Sequence, residues 1–290
     1  MTASTPPAAP LQHTAFYKFA RLADPARVAA QLREWTAHPG DGLPALTGSI
    51  LVAAEGVNGM LAGPPEALDA IEQALSAATG PFGGVFAGMV FKRTDCQTVP
   101  FRKLKVHLKA EIVPLGIAGV DAAARTGVNV SPQDWRELIA QPDVVLLDNR
   151  NSFEFRLGHF ANAIDPQVTN FRDFPAYVRA HADEWKREGK RVAMYCTGGI
   201  RCEKTSAWML DLGLTAYQLE GGILNYFKAI PDAGRDWHGE CFVFDNRVAL
   251  DTHLNETATT LEDVYTGAPD GSADDALRLA RARRLDDAAS

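Results

Sequence analysis

Val192-Ala-Met-Tyr-Cys-Thr-Gly-Gly-Ile-Arg-Cys-Glu-Lys204 is the stretch on which the reading of this chain turns. Val192 to Tyr195 is an apolar run of strand character, Thr197 to Gly199 a glycine-containing turn, and the residues from Cys202 to Leu210 a helix pattern. A cysteine at a strand–turn–helix junction receives the backbone N–H groups of the turn and the unsatisfied amides of the first helical turn. The helix dipole and Arg201 act in the same direction, so Cys196 is predicted to be a thiolate. A thiolate at neutral pH is a nucleophile and can carry a second sulfur. A cysteine closing a buried strand is commonly just a small hydrophobe. Here the paired glycines, the arginine five residues on and the helix start favour chemistry.

Three further fragments stand in order around it. Val144-Val-Leu-Leu-Asp-Asn-Arg150 is a short strand ending in a polar turn, and Ser152-Phe-Glu-Phe-Arg156 a helical turn before Gly158-His-Phe-Ala-Asn-Ala-Ile164. Tyr217-Gln-Leu-Glu-Gly-Gly-Ile-Leu-Asn-Tyr-Phe227 is a strand followed by a glycine turn. Together they resemble the rhodanese superfamily, in which an active-site Cys and Arg bracket four residues, here Thr197, Gly198, Gly199 and Ile200. Protein tyrosine phosphatases use five, a wider bowl suited to phosphate, so a phosphatase is disfavoured. Asp148, Arg150, Glu154 and His159 match the superfamily's opening pattern; they are read as groups that fix loops by hydrogen bonding rather than as reactants. Cys202 either resolves an oxidised or persulfidated Cys196 as a disulfide or packs inward.

A chain of 290 residues suggests two domains. Its 46% hydrophobic content and lack of any long apolar run indicate a soluble globular protein. The first ten residues lack the basic and apolar regions of a secretory signal and read as a disordered leader. Cys96, Cys196, Cys202 and Cys241 form neither a disulfide framework nor a paired zinc spacing, which points to a reducing, cytoplasmic setting. No metal or flavin motif is evident.

The net charge of −7 argues weakly against nucleic acid, but it is uneven. Residues 251–290 hold nine acidic and four basic side chains, leaving the rest near neutral. Lys92, Arg93, Arg102, Lys103, Lys105 and Lys109 crowd into 18 positions with Asp95 as the only acid and Phe91 and Phe101 interleaved. In an extended segment Lys103, Lys105, His107 and Lys109 share one face, a ladder able to track a phosphate backbone. The plainer alternative is a solvated strand face.

Upstream lies a separate unit. Thr14 to Ala20 reads as a strand, and Asp24 caps a helix that has Pro25 first and Val28, Leu32 and Trp35 on one face. Strands over Gly48–Ala54 and Gly59–Ala62 flank a turn at Glu55–Gly59. Pro64 opens a helix with Leu68, Ile71 and Leu75 inward, and Gly88–Phe91 and Leu104–Leu108 add strand. The order β-α-β-β-α-β is ferredoxin-like, or acylphosphatase-like. The expected organisation is a disordered leader (1–12), a ferredoxin-like α+β domain (13–115), a linker (116–130), an α/β rhodanese domain with a parallel sheet (131–240), and a C-terminal extension with an acidic tail (241–290). Within that tail, residues 274–285 are either a short helix or disordered.

Ser49-Ile-Leu-Val-Ala-Ala-Glu-Gly-Val-Asn-Gly59, Pro100-Phe-Arg-Lys-Leu-Lys-Val106 with Glu111-Ile-Val-Pro-Leu-Gly116, the Cys196 loop and Gly239-Glu-Cys-Phe-Val-Phe-Asp-Asn-Arg-Val248 resemble, in combination, the rhodanese-domain tRNA uridine hydroxylases. The resemblance covers residues from about 14 to 250. It implies oxygen-dependent 5-hydroxylation of the wobble uridine, with molecular oxygen as co-substrate, the tRNA anticodon loop as partner and Cys196 as the catalytic cysteine. Longer members continue into a cysteine-containing segment, whereas this chain has no cysteine after Cys241. Two other readings remain open at this level: a sulfurtransferase working through a Cys196 persulfide, and a non-catalytic RNA-binding module. The intact Cys196 and Arg201 disfavour the latter.

Overall fold

The structure is a computed structural model and describes residues 10–266 and 273–287. The chain divides into two compact units, one ending at Ile112 and the other beginning at Val113. Most of the expected leader lies outside the described residues. Its last two positions, Leu11 and Gln12, already belong to a strand.

In the first unit β1 (Leu11–Phe19) leads to α1 (Pro25–Ala37), where the Asp24 carboxylate accepts from the Arg27 N–H at 2.9 Å and Pro25 takes the first helical position. β2 (Thr47–Ala53) and β3 (Gly56–Gly63) form a hairpin, followed by α2 (Pro65–Ser76), β4 (Val90–Cys96) and β5 (Leu104–Leu108). The sheet order is β4-β1-β3-β2-β5, with β5 parallel to β2. Its first four strands give the ferredoxin-like arrangement, and β5 extends the edge. Both helices cover one face, where Leu32, Ile50, Leu61, Leu68, Ile71 and Phe86 are completely buried.

The hairpin is tighter than the sequence suggests. Only Ala54 and Glu55 separate the strands, and Gly56 pairs within the ladder instead of turning. Its φ of +141° and the Lys18 carbonyl, which a Cβ would meet at 2.0 Å, make glycine obligatory there. The Gly88–Phe91 strand likewise starts later, at Val90.

In the second unit β6 (Val128–Val130) is formed by the last residues of the expected linker. Then follow α3 (Pro132–Ile139), β7 (Val144–Asp148), α4 (Ser152–Leu157), β8 (Gly158–Phe160), α5 (Phe174–Arg187), β9 (Arg191–Tyr195), α6 (Ile200–Asp211), β10 (Ala216–Leu219) and α7 (Gly222–Ala229). The parallel sheet runs β6-β10-β9-β7. Val192 to Tyr195 are all buried, the continuous apolar signature of a strand covered on both faces. Ala193 and Tyr195 join Trp135, Phe160, Ile223, Tyr226 and Trp237 in one core.

β11 (Trp237–Gly239) pairs with β8, and β12 (Cys241–Phe242) with β13 (Ala249–Leu250). Two helices, α8 (Leu261–Thr266) and α9 (Ala273–Asp287), follow. Of the two alternatives for residues 274–285 the helix is therefore the one formed. Phe242, Val248 and Val264 pack with Phe153 of α4. Arg156 of α4 pairs with Asp275 of α9, and the Arg278 guanidinium lies 4.9 Å from the Phe153 ring.

Leu68→Ala is expected to cost about 2–5 kcal/mol, because a fully buried side chain leaves a cavity. Asp24→Ala, which removes only an exposed cap, should cost about 1 kcal/mol. Denaturant unfolding of the two variants checks the ranking.

Candidate functional site

Cys196 follows β9 directly, and the helix α6 opens four residues later at Ile200. Gly199 caps α6 with φ of +101°, and its N–H donates to Cys196 Sγ at 3.1 Å. The loop's carbonyls are taken from the other side. Ile223 N–H donates to Cys196 O at 3.0 Å and Leu224 N–H to Thr197 O at 3.2 Å, so the first amides of α7 hold the loop. This close approach needs Gly222, whose φ is +73° and whose added Cβ would lie 2.5 Å from Cys196 O and 2.7 Å from Thr197 O.

Cys196 is almost wholly buried, and burial pushes its thiol up. Hydrogen bonds from the Cys202 thiol and backbone, the Arg201 charge and the Gly199 N–H outweigh that and hold it well below the ordinary cysteine range. The other two buried cysteines go the opposite way. Burial raises Cys202, and its donation to Cys196 raises it further; burial pushes Cys241 up to about 12. Of the three buried sulfurs, Cys196 is therefore the one biased toward the thiolate.

Arg201 is held bidentately by Glu154, with Nη1 donating to Oε2 at 2.7 Å and Nη2 to Oε1 at 2.8 Å. Both are buried, and Glu154 also accepts from Asn151 N–H. Burial would raise the Glu154 carboxyl, but the Arg201 charge and hydrogen bonds keep it below the usual carboxylate range. The guanidinium lies 5.8 Å from the Phe244 ring. Thr197 Oγ1 lies 3.4 Å from both Glu154 and Arg201, tying the loop to this pair.

Asp148 and Arg150 make a second buried pair at 2.6 and 2.9 Å, with Arg150 also donating to Gly158 O at 2.6 Å and lying against the Tyr195 and Trp237 rings. They brace β7, β8 and β9. His159, on β8, stacks on Phe155 at 4.0 Å, donates Nδ1–H to the Phe155 carbonyl and faces His238 across the strand pair. Among the described residues no group of three or more His, Cys, Asp or Glu could hold a metal ion, and no helix is long and apolar enough to cross a membrane.

Sequence reasoning passed over three contributors. Asn149, between the paired Asp148 and Arg150, donates from Nδ2 to Cys202 Sγ at 3.8 Å and to Thr205 Oγ1 at 3.0 Å. The Gly221-Gly222 turn reads in the sequence only as a glycine turn after a strand. Asp245 and Arg247 form a buried pair at 2.7 and 2.8 Å. The signal for that pair was present: Asp-Asn-Arg occurs at 148–150 and again at 245–247, with the same bidentate contact each time.

The cationic residues divide between the faces of the first unit's sheet. Phe16, Phe91 and Val106 face the helices. Alternation therefore puts Lys92, Lys105 and His107 on the face away from the helices, with Lys92 Nζ 5.3 Å from the Tyr17 ring. Lys103 and Lys109 flank β5, their backbones continuing the ladder to Gly48 and Val52. Arg93 points the other way and pairs with Asp69 at 2.6 Å and Glu72 at 2.9 Å. Arg102 is exposed, just before β5.

Iodoacetamide alkylation of Cys196, followed by peptide mass spectrometry across pH, should remain at its thiolate plateau below the ordinary cysteine pKa of about 8.5 and fall only at more acidic pH. Cys202→Ala removes a donor to the thiolate and should move the inflection upward. Glu154→Gln strands the buried Arg201 charge and is expected to cost about 3–5 kcal/mol.

Two known domains cover most of the chain: the UPF0176 acylphosphatase like domain over residues 11–112 and the Rhodanese-like domain over 131–229. A tRNA uridine(34) hydroxylase of Nitrobacter winogradskyi is 45% identical over 261 residues, covering 89% of this chain and 98% of the relative. The Bradyrhizobium diazoefficiens protein of that name is 45% identical over 243 residues, 83% of this chain and 92% of the relative. The one from Synechococcus elongatus is 46% identical over 240 residues, 82% and 85% of the two chains. With both domains present in order and the Cys196 loop intact, the chain belongs to the tRNA uridine(34) hydroxylase family.

Proposed function

We propose that this chain hydroxylates C5 of the wobble uridine in tRNA, in the cytoplasm, with Cys196 as nucleophile and dioxygen as co-substrate. The observation that carries the reading is the buried Cys196, with the Gly199 N–H on its sulfur at 3.1 Å and the Arg201 charge lowering its pKa, in a chain whose relatives are named for that substrate. C6 of uracil is electrophilic. Thiolate addition there forms a C6–S bond and places carbanion character at C5, the position to be oxidised. The loop amides and Arg201 stabilise the developing negative charge, and Glu154 keeps Arg201 in place for it. A base in the single-stranded anticodon loop leaves its stack at low cost and reaches a small pocket.

The β5 edge of the sheet, on the face away from the helices, is the proposed RNA contact. Lys103, Lys105 and Lys109 lie in and beside β5, a row that a phosphate backbone fits, while Lys92 and Tyr17 stand toward the opposite edge of the sheet, on β4 and β1. Arg93 is committed to Asp69 and Glu72 and contributes least.

Nucleoside mass spectrometry of tRNA from a deletion strain tests the reading. Wild-type protein should restore 5-hydroxyuridine derivatives at position 34 and Cys196→Ser should not. Unchanged nucleosides in both strains, with thiosulfate turnover by the purified protein, would make the chain a sulfurtransferase. Replacing Lys103, Lys105 and Lys109 together by Ala should weaken tRNA binding and flatten the log K against log salt slope by about 2, the loss of three single-strand phosphate contacts.

A further inference from the structure

Hydroxylation by dioxygen places one oxygen atom on C5, while the other must leave as water. That second half needs two electrons and two protons. Beside the thiolate stands a group able to give them. Cys202 is the third residue of α6, completely buried, and its S–H donates to Cys196 Sγ. From the other side Asn149 Nδ2 reaches Cys202 Sγ at 3.8 Å, its position fixed by a 3.0 Å bond to Thr205 Oγ1. The two sulfurs are thus hydrogen-bonded to one another, both residues are buried, and neither cysteine is in a disulfide.

Resting on the hydroxylase reading above, we infer that Cys196 and Cys202 act together as the reductant, supplying both electrons and ending each turnover as a Cys196–Cys202 disulfide. The sum balances: uridine, dioxygen and two thiols give 5-hydroxyuridine, water and one disulfide. In the first step the Cys196 thiolate bonds to C6, and the C5 carbanion takes up dioxygen and a proton to become a hydroperoxide. The Cys202 sulfur then attacks the distal oxygen; the O–O bond breaks, leaving a hydroxyl on C5 and a sulfenic acid on Cys202. Loss of the C5 proton expels Cys196 from C6 and restores the ring double bond. The released thiolate displaces water from the Cys202 sulfenic acid, forming the S–S bond. A dithiol reductant of the thioredoxin class returns the pair to the reduced state.

The protonation states suit these roles. Cys196 is the thiolate that adds, and Cys202, kept a thiol by burial and by its donation to Cys196, brings a proton with its electrons. Cys241, the remaining buried cysteine, bonds to the Phe242 carbonyl at 3.7 Å.

The test is a single-turnover experiment on the full chain, reduced, freed of thiol and mixed in air with a tRNA transcript bearing uridine at position 34. About one 5-hydroxyuridine per chain should form, matched by an equal yield of Cys196–Cys202 disulfide in peptide maps, with repeated turnover once thioredoxin or dithiothreitol is added. A sample without RNA should keep both thiols over the same time. Cys202→Ser should lose the product by about a hundredfold without added thiol. The wild-type stoichiometry stands independently of that variant's folding. Many equivalents of product without thiol, product with both cysteines still reduced, or full single-turnover product from Cys202→Ser would each overturn the inference and leave the hydroxylase reading intact. No 5-hydroxyuridine from the wild type under any reductant would overturn both.

Discussion

The site depends on how one short loop disposes of its backbone. Between a strand buried from Val192 onward and a helix, the buried carbonyls and N–H groups of the loop need partners. Ile223 and Leu224 take the carbonyls of Cys196 and Thr197, and this leaves the Gly199 amide turned toward sulfur. Without that capture the loop could satisfy itself in other ways, and nothing would offset the cost of burying a thiolate. Gly222 makes the capture possible, since any side chain would strike the carbonyls being held.

Charge is arranged around this loop in bidentate pairs. Glu154 holds Arg201, Asp148 holds Arg150, and Asp245 holds Arg247, each with two short contacts inside the protein. A fixed guanidinium costs little reorganisation when a nearby charge shifts from sulfur toward substrate. Arg201 is anchored by an acid six residues after β7 begins to turn away, so the electrostatics of the loop rest on parallel strands that are neighbours in space but distant in sequence.

Much of this was legible in the residues. Asp24 with Pro25 marked the start of α1, the inward spacing of Leu68, Ile71 and Leu75 gave α2, and the strand–glycine–helix pattern located the loop. What stayed hidden came from tertiary partners. Gly56 looked like a turn residue because glycine usually is; it sits in a strand because the Lys18 carbonyl crosses it. Val128 to Val130 are too short to declare themselves a strand until β10 is alongside. Arg93 reads as one more cation until Asp69 and Glu72 of α2 are found beside it. The helix α9 is weakly amphipathic in sequence, and its contacts to Phe153 and Arg156 belong to an element more than a hundred residues upstream.

The long separations within the loop's network have a consequence for the nascent protein. Cys196 meets Glu154-bound Arg201, the α7 amides and the Asn149-supported Cys202 only after β7, β9 and β10 have paired. Parallel pairings of this kind close late, since chain entropy must be spent before their contacts form. Until then Cys196 is an ordinary cysteine, mostly protonated at neutral pH and correspondingly slow toward electrophiles and oxidants. Reactivity is thus conferred by tertiary structure and not by the local sequence. A chain emerging from the ribosome carries no activated sulfur, and acquires one only when the pocket that shields it has closed.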